Sequence, residues 1–211
     1  DYSDPANASL IIPTGYESKY YDSAAVESEG WKYDKAKAVE ILEGELKAKK
    51  GSDGIYDLPD GTKLGGWKVI CPTGWTDWNT ALEIVAKSAQ AVGIGITTEF
   101  PQAPTWTQKM QNGDFDIVMN GYSGVSPASP WIRFRDAMDD RGVADVGKRA
   151  DWNYGRFSND KVAALLDTAA GAKSDDEAKK VIGDIFLAGL KSIKQKAMPP
   201  DEDNPGNEDR D

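Results

Sequence analysis

The 211-residue sequence has no histidine and one cysteine, Cys71, and its 35 Asp and Glu outnumber 25 Lys and Arg, for a formal net charge of −10. Each shortage removes a class of function. With no basic face to neutralise phosphates, nucleic acid is excluded as a partner. A lone cysteine excludes an internal disulfide. With no histidine to activate it, the Cys71 thiol reads as a small core hydrophobe and not as a nucleophile. No apolar run approaches the ~20 residues that a spanning helix needs, so no membrane insertion is expected. Asp1-Tyr2-Ser3-Asp4 is not a signal peptide; an export signal has been removed or was never part of this chain.

What is present is concentrated between Trp67 and Trp131. Trp67–Cys71 reads as a short strand closed by Pro72-Thr73-Gly74. Thr76 or Asp77 stands where a helix cap belongs, before apolar residues Ala81, Leu82, Ile84, Val85, Ala89 and Val92 at helical spacing, and Gly93 ends the run. Ile94–Phe100 reads as the next strand, Pro104–Asn112 as a short helix stopped by Gly113, and Phe115–Met119 as a third strand. Three strands joined by two helices predict an α/β fold, a mostly parallel sheet with helices on both faces and right-handed crossovers. Ligands of such sheets sit beyond the carboxyl ends of the strands, where strand order reverses. That rule places Pro72–Trp78 and Asn120–Trp131 side by side on one rim.

The rim residues suit a neutral polar ligand. Trp75, Trp78 and Trp131 each sit at a strand end, where an indole either staples a turn onto the core or offers a flat, electron-rich face to a sugar ring. Asp77 either caps backbone N–H groups or accepts ligand hydroxyls. Asn120, Tyr122 and Ser123 supply donors and acceptors between glycines, although an ordinary Gly/Ser loop would look the same. Glycoside hydrolysis needs two facing carboxylates, and only Asp77 falls on the rim, so no catalytic residues are assigned. Gly93-Ile94-Gly95 follows a helix and does not open one, which removes a phosphate-cradling loop. Asp53, Asp57 and Asp60 match no calcium loop and read as turn residues, so no metal or cofactor is expected.

Around this segment, residues 1–30 read as an extended lead-in, 31–195 as the α/β ligand-binding lobe and 196–211 as a disordered acidic tail. Asp34 is expected to cap a helix through about Lys49, its lysines meeting the negative end of the dipole, and Gly51–Leu64 to form a turn-rich hairpin. Arg133–Asp151 reads as irregular. Asp160 begins another helix, and Ser174-Asp175-Asp176-Glu177 is a capping box for one running to about Leu190.

Cys71-Pro-Thr-Gly-Trp-Thr-Asp-Trp78, Val92-Gly-Ile-Gly-Ile, Asn112-Gly-Asp-Phe-Asp-Ile117 and Asn153-Tyr-Gly-Arg-Phe157 resemble the family 5 extracellular solute-binding proteins of ABC importers, and within them the cellobiose- and oligosaccharide-binding branch. Tyr33–Ala38 and Asp57–Thr62 match the usual run-in of that family. The resemblance implies a periplasmic-binding-protein-like receptor whose two lobes close on a solute, outside the cytoplasm, and deliver it to an ABC permease. It implies an oligosaccharide ligand, with an oligopeptide-binding lobe as the alternative. Only one lobe is expected here. The lysines of Lys191–Lys196 stand where the family continues with apolar strand, as in an excised or re-surfaced fragment that binds weakly or folds without ligand activity of its own.

Overall fold

A computed structural model describes residues 9–29, 33–121 and 129–197, with side chains to Ser192. A 3-10 turn at Gly15–Tyr20 leads to α1 (Ser23–Glu29), then α2 (Lys35–Glu40), which widens into a π turn at Ile41–Glu45. The hairpin pairs β1 (Lys49–Lys50) with β2 (Tyr56–Asp57). Next come β3 (Gly65–Ile70), α3 (Thr76–Ala91), β4 (Gly95–Glu99), α4 (Ala103–Asn112) and β5 (Ile117–Val118). Helices α5 (Trp131–Met138), α6 (Asp160–Ala170) and α7 (Asp175–Ala197) follow.

The sheet has the order β4-β3-β5 and every pair is parallel. The chain therefore steps from β3 to one side and returns across it to the other. Right-handed crossovers in opposite directions must cover opposite faces. Side-chain alternation along β3 agrees. Val69 and Cys71 pack with Leu82 of α3, Trp78, Ile96 and Phe100. Ile70 points the other way, against Trp106 and Met110 of α4. The expected α/β arrangement holds. Gly95 is fixed by closeness: a Cβ there would come 2.9 Å from the Gly65 Cα across the ladder.

Several elements differ from the sequence reading. The lead-in, expected to be extended, is helical over Gly15–Tyr20 and Ser23–Glu29, because Ile11 and Tyr20 are buried against a helical cluster of Phe134, Val162, Leu166, Ile182, Ile185 and Leu190. The Asp34 carboxylate caps α2 as expected, accepting from Lys37 N at 2.9 Å. The helix nevertheless ends near Leu46: Lys47 takes φ +53°, and Lys49 and Lys50 pair with Asp57 and Tyr56. These lysines lie in a strand and not at a helix pole. Arg133–Met138, expected to be irregular, is helical and buries Phe134. The N-cap of α3 is Trp75, with no side-chain cap, so neither Thr76 nor Asp77 performs that role. The capping box is real: Glu177 N donates to Ser174 Oγ at 3.2 Å, and the Glu177 carboxylate accepts from Lys173 N at 2.8 Å. Helix α7 continues through the lysines to Ala197, since lysine is a good helix former. The rest of the expected tail lies outside the described residues.

A buried ion pair joins lead-in and α5. The Arg133 guanidinium meets the Glu17 carboxylate, with side-chain exposures of 7% and 3%. Arg133 Nε also donates to Leu10 O at 2.8 Å, and Ile12 N donates to Glu17 Oε2 at 3.1 Å. Removing one partner strands a charge in the core. Glu17→Ala is expected to lose about 3–5 kcal/mol in urea unfolding, and Glu17→Met with Arg133→Met to recover most of it. A loss below about 1 kcal/mol for Glu17→Ala would show an exposed, not a buried, pair.

Candidate functional site

Above the carboxyl end of β3 the chain makes a short turn, Pro72–Trp75, into α3. Gly74 stands at φ +83°, a conformation that glycine adopts without strain. Thr73 N donates to Pro101 O at 2.8 Å, which ties this turn to the exit of β4. Trp75 is 41% exposed at the rim. Its ring meets Trp78 edge-on at 4.9 Å and 81°, and lies 5.7 Å from Trp106 at 54°. Across the sheet, Met119 N bonds Ile70 O at 3.0 Å, which carries the chain from β5 to the same edge. A Cβ on Gly121 would sit 3.5 Å from the Trp78 ring, so this second loop packs on that indole.

Trp75, Asp77, Trp78 and Asn120 therefore come together on the carboxyl rim. Asn120 is half-buried, Asp77 is exposed in the first turn of α3, and neither side chain makes a hydrogen bond among the described residues. Tyr122 and Ser123 lie outside the described residues. Trp131 belongs elsewhere: its indole N–H donates to Leu166 O at 2.9 Å and its ring packs on the α5–α7 core. Trp106 was not singled out from sequence. Its available signal was the Trp106–Met110 spacing on a helix that starts at the rim. Its indole N–H is enclosed and has no acceptor among the described residues.

The rim combines an exposed indole with two polar side chains. Asp77 is an acid on it, and no metal-ligating cluster occurs among the described residues. Cys71 is fully buried, and burial pushes its thiol pKa up, opposed by the Asn79 amide that donates to the sulfur. Two cavities among the described residues are lined by neither Trp75, Trp78 nor Asn120. One, of about 480 Å³, is lined by Lys68, Glu99, Lys109, Asp114 and Asp116 on the α4 side of the sheet. The other, of about 230 Å³, lies between the lead-in and α7.

The Asn153–Phe157 motif is a brace. Asn153 is 1% exposed with φ +45°; its amide donates to Asp139 O and Phe157 O at 3.2 and 2.7 Å and accepts from Phe157 N at 2.9 Å. Arg156, at φ +52°, spreads its guanidinium over Ala144 O, Tyr154 O and Gln111 O at 2.8–2.9 Å. Together they fasten the loop after α5 to the end of α4.

Residues 1–135 match the family model for bacterial extracellular solute-binding proteins, family 5 Middle. Among solved structures, a mannohexaose-bound periplasmic oligopeptide-binding protein of an ABC transporter from Thermotoga maritima is similar, at 28% identity and TM-score 0.81 over 90% of this chain and 35% of that one. AppA from Bacillus subtilis, in complex with a nonapeptide, is 21% identical with TM-score 0.68, over 89% and 34% of the two chains. MelB from Agrobacterium fabrum, in complex with stachyose, is 12% identical with TM-score 0.63, over 82% and 26%. The last two share the fold. The chain spans about a third or less of the length of these proteins. No curated protein matches it.

Because Asn153 satisfies three backbone groups in a dry site and tolerates its positive φ, Asn153→Ala is expected to lower stability by about 3 kcal/mol. Thermal and urea unfolding check this, and an unchanged midpoint would remove the brace.

Proposed function

The chain belongs to the family 5 bacterial extracellular solute-binding proteins, and on that premise we propose that its carboxyl rim is one wall of a site for an uncharged oligosaccharide of the cello-oligosaccharide type. The observation that carries the reading is Trp75: a large apolar face, 41% exposed, held on an indole pair at the strand ends. The C–H face of a sugar ring stacks on such a surface, while Asn120 and Asp77 are free to exchange hydrogen bonds with its hydroxyls. In this reading the parent receptor captures the glycan outside the cytoplasm, closes a second lobe over it and hands it to an ABC permease. No chemical step is involved. Tyr122 and Ser123 are proposed from the sequence as further hydroxyl partners of the ligand; Trp131, whose ring packs on the α5–α7 core, is not part of the wall.

An oligopeptide is the second reading, favoured by one feature: the unengaged Asp77 carboxylate also suits a peptide ammonium. One open wall leaves water competing for every hydroxyl. The 211-residue chain is therefore expected to bind cellohexaose with a Kd of about 1 mM or weaker, about −4 kcal/mol. Calorimetry with cellobiose, cellohexaose, mannohexaose and a nonapeptide checks this; a micromolar Kd would make the single wall a sufficient site, and binding of the peptide alone would replace the glycan.

Asp77→Asn separates structure from recognition. With no cap to lose, the variant forfeits only its favourable place in the first helical turn, under about 1 kcal/mol. Glycan binding is expected to weaken while the melting temperature barely moves. A variant that melts earlier and binds unchanged would return Asp77 to a structural role.

A further inference from the structure

We propose that Asn79 is a positioning residue for this rim: it holds the Pro72–Trp75 turn and so sets the plane on which Trp75 presents its ring. The inference rests on the glycan-wall reading for its purpose, but its geometry stands independently. Asn79 occupies the first turn of α3 below the rim, half-buried. Its side-chain Nδ2 donates to Pro72 O at 3.0 Å and lies 2.8 Å from Cys71 Sγ, while its backbone N donates to Trp75 O at 2.8 Å. The Asn79 amide thus ties the start of the turn to α3, while the first backbone bond of the helix holds its end. Cys71 and Pro72 are fully buried and give it a fixed anchor.

Among the described residues the other contact to Pro72 O is a weak one from Cys71 Sγ at 3.8 Å. The N-cap, Trp75, makes no side-chain cap bond. The remaining tie, Thr73 N to Pro101 O, fixes the turn sideways against β4 and not against α3. Asparagine is an unfavourable residue inside a helix because its amide competes for backbone groups. Here the amide turns back to Pro72 O at the exit of β3. The ring it orients is then wedged by Trp78 at 81° and Trp106 at 54°. A flat surface held at one angle keeps the ordering cost of stacking a sugar low.

Closely spaced indoles at a fixed angle give an exciton couplet in the circular dichroism spectrum, which reads this geometry without ligand. Trp75→Phe identifies the part of the couplet due to that ring. Asn79→Ala removes the grip, and Asn79→Asp keeps the shape but replaces the donor by an acceptor facing Pro72 O. Both variants of the full chain are expected to lose most of the Trp75 couplet, to keep their helical signal, and to bind cellohexaose about tenfold more weakly by NMR titration. A couplet preserved in both variants overturns the proposal. Weaker binding with the couplet intact also overturns it, since Asn79 would then contact the sugar directly. Failure of both variants to fold makes Asn79 a general core brace and overturns it as well. If the wild-type chain binds no glycan, the glycan-wall reading fails, and loss of the couplet in the variants still decides the positioning role.

Discussion

Val69, Ile70 and Cys71 are each at most 2% exposed, so β3 is sealed on both faces over its last residues. A strand in that position needs a helix on either side. It obtains them by lying in the middle of the sheet, with one crossover leaving to β4 and the next returning past it to β5. The reversal of strand order, the converging loops at its carboxyl end and the aromatic rim all follow from that single two-sided burial. Shortening the apolar run by one residue would flip its faces and separate Trp75 from the loop after β5.

The second layer keeps this small sheet in place. Three strands, one of them two residues long, offer little edge-to-edge cohesion. The loop after α5 supplies it, pinned to Gln111 by the Arg156 guanidinium and by the Ala150 N–H at 2.9 Å. That loop is anchored in turn by Asn153 and by Arg141, which bridges Asp139 and Asp167 at 2.8 and 2.7 Å. The Arg141 guanidinium holds the Asp139 carboxyl below the usual carboxylate range. The exposed aromatic rim and the ties beneath it are thereby built from two separate sets of residues.

The alternation of strand and helix from Gly65 to Val118 was legible because local signals agree there: β-rich runs, apolar spacing at 3.6 residues, and Gly93 and Gly113 at helix ends. The convergence of Trp75, Trp78 and Asn120 followed from the topology rule. What escaped depends on distant partners. Nothing in Trp131 itself tells that its N–H will find Leu166 O, 35 residues away. Ile11 and Tyr20 become helical-layer residues only once α7 exists to receive them. Arg156 has no local signature of positive φ, and Asn153, of a type that tolerates it, gives no sign of the backbone groups it will bind. The cap at Thr76 or Asp77 failed for a different reason: Asn79, inside the helix, already secures the turn that a cap would have closed.

Whether the carboxyl rim is the ligand face is decided by following the indole N–H signals of the tryptophans in a nitrogen-15 NMR titration with mannohexaose and cellohexaose. The expected result is a shift at Trp75, Trp78 and Trp106, with Trp131 and Trp152 unmoved because their N–H groups are held by Leu166 O and Asp139 O. Shifts confined to Trp131 and Trp152, or to backbone amides around Lys68 and Asp116 with the rim silent, would contradict it.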